Sequence, residues 1–193
     1  MTLSLRDRRR LETAREIQQA TLRLAMREGF DAVTTEAIAA EAGISTRTFF
    51  NYYPNKESSA IGVPPGYRTE DKAALRTGTG PLATDIKAFL DRHMMALAEN
   101  EETLRMVRKI VRANAKASGV LDRIHLDERD ELAECLRPRV NDVHVAIALA
   151  ANAAACTSRA IHLWENEDSV PLAQALDTIW AGQVTAARLL TAG

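Results

Sequence analysis

Apolar positions in this chain recur at three- and four-residue intervals almost from end to end, and nowhere alternate with the period of two expected of a half-buried strand. Ile17, Ala20, Leu24 and Ala25 mark one face of a first helix running from Leu11 to near Gly29, a natural C-cap. Thr34 precedes the acidic, alanine-rich run TEAIAAEA and predicts the N-cap of a short second helix that ends at Gly43. Ser45 predicts the cap of a third, running through Tyr53 to its stop at Pro54. Asn55 would cap a fourth, which Gly62, Pro64, Pro65 and Gly66 require to be short or broken. Residues 62–80 then read as a linker, with room for a helical turn at 72–76. Periodicity returns with Ile86, Phe89, Leu90, His93, Met94 and Leu97 in a helix over 82–100, and with Leu104, Val107, Ile110 and Val111 in one over 102–115. Gly119 is expected to break the chain there, before a helix over 121–137 stopped by Pro138. A long alanine-rich helix over 141–166 and a last one over 171–190 complete the pattern. The fold class expected is all-α: a three-helix domain in residues 1–61, the linker at 62–80, and a helical bundle in 81–193.

Two short helices joined by a tight glycine turn form a helix-turn-helix pattern, whose second helix is free to enter a major groove. Short helix pairs also occur in enzymes, so the side chains must decide. The stretch ISTRTFFNYYPNKE places four aromatics in five residues, although the chain has only four Phe, three Tyr and two Trp. Phe49 and Tyr53, four apart, should face the first two helices as core, which leaves Phe50 and Tyr52 on other faces. A tyrosine there can reach a phosphate through its hydroxyl, whereas a phenylalanine offers apolar contact such as to a thymine methyl. The alternative, that all four are core, stays open. Thr46, Arg47 and Thr48 stand in the first turn of the third helix, where side chains project beyond its N-terminus and can hydrogen-bond base edges, and Ser45 at the cap joins them as a DNA-binding candidate. The fork of Arg47 matches guanine O6 and N7. Lys56, a cation in the first turn of a helix, opposes the dipole unless an anion such as phosphate sits between them.

Charge sharpens this picture. The formal net charge is -1, but residues 1–56 carry nine Lys and Arg against seven Asp and Glu. Arg6, Arg8, Arg9 and Arg10 face only Asp7 and form a basic N-terminal arm suited to an anionic polymer. Cys135 and Cys156 are too few for a stapled secreted fold and fit reduced thiols. No apolar h-region follows the basic start, so a cytoplasmic protein is expected. The most apolar stretch, 143–164, contains His144, Asn152, Arg159 and His162 and would sit poorly in a bilayer, so no membrane partner is expected.

The segment FDAVTTEAIAAEAGISTRTFFNYYPNKE resembles the DNA-binding signature of the TetR family of bacterial transcriptional regulators, with spacing matched from Phe30 through Ile38, Ala39, Ala42, Gly43 and Ser45 to Lys56. The variant with Phe49, Phe50 and Asn51 is similar to regulators common in actinobacteria. The resemblance covers about residues 11–60 and implies a homodimer that binds an inverted-repeat operator in double-stranded DNA and leaves it when a small molecule enters the C-terminal domain. It implies phosphate contacts from Thr34, Tyr52 and Lys56 and base-facing roles for Thr46, Arg47 and Thr48. Phe50 replaces the tyrosine usual at its position, so only an apolar contact is expected of it.

Beyond residue 60 the resemblance is one of architecture. Small residues including Ala151 and Ala155 permit close helix approach, and Leu176, Ile179, Trp180 and Val184 can fill the opposing space. Two such helices from each protomer would form an intermolecular four-helix bundle, unless both are internal core. Phe89, His93, Met94, Leu97, Met106, Ile110 and Trp164 are candidates to line a pocket for a small apolar or amphipathic effector, or are ordinary bundle core. No cofactor or metal is expected: Asp122, His125 and Glu128 share a helix face, but three such residues in a polar helix are more often solvated charges. Ser158 and His162 lack an orienting acid, so catalysis is not expected. Three readings follow: a ligand-released dimeric repressor, a constitutive helix-turn-helix DNA binder, or a helical enzyme or carrier on a DNA-binding fold.

Overall fold

A computed structural model describes residues 4–167 and 169–191 and contains, among them, only helices and their connections. In chain order these are α1 (Leu5–Glu28), a 3₁₀ turn (Phe30–Ala32), α2 (Thr35–Glu41), α3 (Thr46–Phe50), α4 (Lys56–Ile61), α5 (Thr69–Thr77), α6 (Leu82–Ala98), α7 (Glu101–Ala113), α8 (Ala115–Val140), α9 (Val143–Asn166) and α10 (Leu172–Thr191). They fall into two compact units, Met1–Pro64 with Glu101–Arg123, and Pro65–Asn100 with Ile124–Gly193.

The caps read from sequence form as hydrogen bonds. The side chains of Thr34, Ser45 and Asn55 accept from the backbone N–H groups of Ala37, Thr48 and Ser58 at 3.1, 3.0 and 2.8 Å, each satisfying an otherwise orphaned donor. The first helix begins at Leu5, not Leu11, because Ser4 accepts from the Asp7 N–H at 3.1 Å. Residues 5–10 are exposed all round, so no apolar stripe announces them.

In the first unit, α1 supplies the core through Ile17, Ala20, Leu22 and Leu24. Tyr53 is buried and donates its hydroxyl proton to the Ala14 carbonyl at 3.1 Å. Gln18 donates to the carbonyls of Ala60 and Ile61 at 3.2 and 2.8 Å, tying α1 to the end of α4. Gly62, at φ +69°, lies so close that a Cβ would stand 2.2 Å from the Gln18 Cδ, so only glycine combines that backbone with that clamp. Helix α7 packs here as well: its Val107 and Ile110 are buried, and Gln19 donates to Thr103 at 3.0 Å.

In the second unit, α9 offers a row of small buried residues, Ala146, Ala150, Ala153, Cys156 and Ala160, and α10 lies along that helix. Leu172, Ala175 and Leu176 of α10 are buried, as are Phe89, Leu90 and Met94 of α6. Residues 62–80, read as a linker, hold the nine-residue helix α5. Arg139 fastens its far end by donating to the carbonyls of Leu75 and Gly80 at 3.1 and 2.8 Å while pairing with Asp85 at 2.9 Å.

Two expected breaks do not occur, since α8 runs through both Gly119 and Pro138. Asn114 caps α8 by accepting from the Ala117 N–H at 3.0 Å, and Ala117 and Leu121 are buried on either side of Gly119. Together these offset the roughly 1 kcal/mol that a helical glycine costs. Pro138 lies in the last turn, where its missing N–H removes one bond and only two helical residues follow. The turn proper comes at Asn141, which takes φ +53° and donates its N–H to the Arg137 carbonyl at 3.1 Å.

Candidate nucleic-acid interface

The connection between α2 and α3 is built by backbone bonds that need a left-handed residue. Gly43 provides it at φ +68°, and the Ile44 N–H closes the turn on the Ala39 carbonyl at 2.9 Å. Ile38, Ala39 and Phe49 are buried, with α2 packed on α1 and α3 packed on α2. That packing leaves the start of α3 facing outward. Arg47 is exposed, while Thr46 and Thr48 are half-buried. The hydroxyls of Ser45 and Thr48 bond each other at 2.8 Å, which orients both at the helix start.

The aromatics divide as their spacing predicts. Phe49 is wholly buried, and Phe50 stands out 52 % exposed with its ring edge-on to Phe49 at 5.3 Å. Tyr52 is half-buried beneath the Arg10 guanidinium, 5.3 Å from the ring centre, a cation–π contact that joins the first turns of α1 to the end of α3. Arg6, Arg8, Arg9 and Arg10 are exposed, and they stand on a helix rather than on an extended arm. Thr34 is exposed at the start of α2.

Lys56 is the residue whose setting sequence reasoning misses. Its ammonium donates to the carbonyls of Phe30, Asp31 and Val33 at 3.0, 3.0 and 2.9 Å and lies 5.0 Å above the Phe30 ring. A cation opposed to the dipole of its own helix thus serves the carbonyl end of the neighbouring 3₁₀ turn, where the dipole favours it. Spacing along the chain carries no trace of this, because donor and acceptors are 23 to 26 positions apart.

The remaining candidates separate. Phe89, His93, Met94 and Trp164 are buried in the second unit with Leu97 half-exposed, while Met106 and Ile110 stand on α7 in the first. Tyr67, which the sequence reading passed over, packs on Phe89 and His93 with ring centres 4.7 and 4.8 Å away. Of the residues expected at a dimer contact, Ala151 and Ala155 are exposed and Ile179, Trp180 and Val184 are half-exposed, whereas Leu176 is wholly buried within its own unit. Among the described residues no group of acids, His and Cys is placed to hold a metal ion, and no helix is long and apolar enough to cross a membrane.

Comparison with known proteins bears on these features directly. Residues 17–58 match the model of the bacterial regulatory proteins of the tetR family. The chain is 27% identical over 128 residues to uncharacterized HTH-type transcriptional regulators of Mycobacterium tuberculosis and Mycobacterium bovis, covering 66% of this chain and 62% of theirs. It therefore spans less than two thirds of the length of those relatives. Among solved structures, a protein of Syntrophomonas wolfei assigned to the TetR-family transcriptional regulators aligns over 91% of this chain and 95% of its own, with TM-score 0.66 and 14% identity. FadR of Thermus thermophilus, a TetR-family transcriptional repressor in complex with lauroyl-CoA, aligns over 89% and 93%, with TM-score 0.52 and 19% identity. These two share the fold.

Proposed function

From the premise that the chain belongs to the TetR family of DNA-binding bacterial transcriptional regulators, and is not an enzyme, we propose that it is a cytoplasmic homodimeric repressor released from an inverted-repeat operator by a small amphipathic effector. The observation that carries the reading is the capped, outward-facing start of α3, with Arg47 exposed and Thr46 and Thr48 beside it. Residues 1–61 act as the reading head. Arg47 addresses guanine, Thr46 and Thr48 address neighbouring base edges, and Phe50 offers apolar contact. Thr34, Ser45, Tyr52 and the arginines at positions 6, 8, 9 and 10 meet phosphates. Lys56 shapes this head by holding the turn that precedes the α2 cap, and lends its charge to the same face.

Dimerisation through α9 and α10 is supported by the apolar surface they leave uncovered, including Ala151, Ala155, Ile179, Trp180 and Val184, with Leu176 packed beneath. Two copies would set two recognition helices on half-sites about 34–36 Å apart. The effector lies in the second unit, against Phe89, His93, Met94, Leu97 and Trp164; Met106 and Ile110, the other two candidates, stand on α7 in the first unit. Footprinting on the DNA upstream of the protein's own coding region tests the reading. Protection of an inverted repeat supports it, and uniform coverage without a preferred sequence refutes it.

A further inference from the structure

Asn51 follows α3 as its C-cap and has none of the structural tasks that place asparagine at helix ends. Its backbone is right-handed, with φ -73° and ψ -15°, so it extends the helical path and does not make the left-handed turn that favours asparagine there. Its N–H donates to the Thr48 carbonyl at 3.1 Å, while its side-chain amide makes no hydrogen bond with the described residues. Elsewhere in the chain such tasks are filled: Asn55 and Asn114 cap helices through their side chains, and Asn141 takes φ +53°.

Helical register decides where that amide stands. At about 100° per residue, and with Phe49 buried, positions 47, 50 and 51 turn outward together. Arg47, Phe50 and Asn51 are indeed the exposed residues of the segment, whereas Thr46 and Thr48 are half-buried. The Thr48 hydroxyl is also engaged with Ser45, at 2.8 Å. Past Asn51 the chain turns inward again, since Tyr52 lies half-buried beneath Arg10 and Tyr53 is buried. A guanidinium fork, an apolar ring and a carboxamide thus make one continuous outward face, and no acid stands among residues 45–53. An exposed asparagine is ordinarily just solvated; this one flanks the side chain assigned to guanine, on the face that meets the groove.

We propose that Asn51 is a base-reading residue, whose amide oxygen accepts from the N6–H of an adenine and whose amide N–H donates to the N7 of the same base, close to the guanine that Arg47 addresses. The inference rests on the operator reading above and adds one letter to each half-site. Adenine is selected because its major-groove edge sets a donor beside an acceptor, the arrangement a carboxamide matches with both of its ends. Guanine offers two acceptors there and leaves the amide oxygen without a donor. A phosphate would take the N–H and leave that oxygen idle as well. Arg47 and Asn51 are four residues apart, about 6 Å along the helix axis, against about 3.4 Å per base pair. The adenine therefore lies one or two base pairs from the guanine.

The test is selection by the full chain from duplexes with a randomised core of about two helical turns, run in parallel with Asn51→Ala. Wild type should enrich an inverted repeat holding, in each half, a guanine and an adenine one or two positions away. Asn51→Ala should keep the guanine and lose the adenine preference, a fall in discrimination of roughly 5–150-fold per half-site. In the enriched duplex, 7-deazaadenine at that position keeps base pairing and removes only the N7 acceptor. It should weaken wild type about fivefold and leave Asn51→Ala unchanged. The inference is overturned, and the operator reading stands, if the adenine preference survives in Asn51→Ala or if that variant weakens every duplex alike, the mark of a phosphate contact. Wild-type affinity that ignores 7-deazaadenine overturns it without recourse to any variant. If wild type enriches no sequence at all, the operator reading falls and takes this inference with it.

Discussion

Lys56→Met isolates what the ammonium does for the reading head, because methionine keeps most of the apolar stem over Phe30 and removes the charge and its three donors. A hydrogen bond to a charged group contributes about 1.5–3 kcal/mol, but three from one ammonium do not add. The Asp31 carbonyl is exposed and regains water when the ammonium leaves, while those of Phe30 and Val33 are partly buried. The expected loss is therefore about 2–3 kcal/mol, including the weak cation–π contact. Trp164 and Trp180 both lie in the second unit, so tryptophan fluorescence would follow the wrong part of the chain. Hydrogen exchange of amides in α1, α2 and α4 reads the first unit directly. Their opening should become roughly thirtyfold more frequent for a loss of about 2 kcal/mol. With all three donors engaged on the protein, the salt dependence of operator binding should change by well under one phosphate's worth. Exchange rates within about twofold of wild type, together with a salt slope lower by about one, would show that the ammonium spends itself on phosphate and that the carbonyl contacts are dispensable.

Arg47→Ala should cost about 1–3 kcal/mol of operator affinity and relax the preference at one base pair while nonspecific binding changes little; a competition assay with single-base operator variants measures this, and equal weakening on all DNA refutes it. Trp180→Glu should yield monomers in sedimentation and lose operator binding with them, because a charge in an apolar contact is desolvated without a partner; an intact dimer moves the interface elsewhere. The second unit should show two opposed pH effects. Glu128, raised to about 7 when folded, destabilises as pH climbs from the ordinary carboxylate range through 7, so Glu128→Gln should remove that decline. His93, lowered to about 4, loses stability as pH falls from the ordinary imidazole range through 4, and His93→Gln should remove that decline; urea melts followed by tryptophan fluorescence at pH 4.5, 6 and 7.5 separate the two.

Short-range rules accounted for much of this protein. The caps at Thr34, Ser45 and Asn55, the glycine turn at Gly43 and the inward placement of Phe49 and Tyr53 are legible because each depends on residues within one or two turns, where side-chain chemistry and helical period leave few alternatives. The same rules misjudged Gly119 and Pro138, whose costs are small enough for a cap, buried neighbours or nearness to a helix end to outweigh. An apolar stripe states that a helix needs a partner without saying which. Hence α7 could be drawn from sequence, while its packing with α1 and α4 depended on the tertiary structure. Lys56 reaching back to the Phe30–Val33 carbonyls, Arg10 lying over Tyr52, and Tyr67 meeting His93 are all contacts between distant positions. A polar side chain has many possible partners across a fold, and only packing, by removing water from some and not others, selects among them.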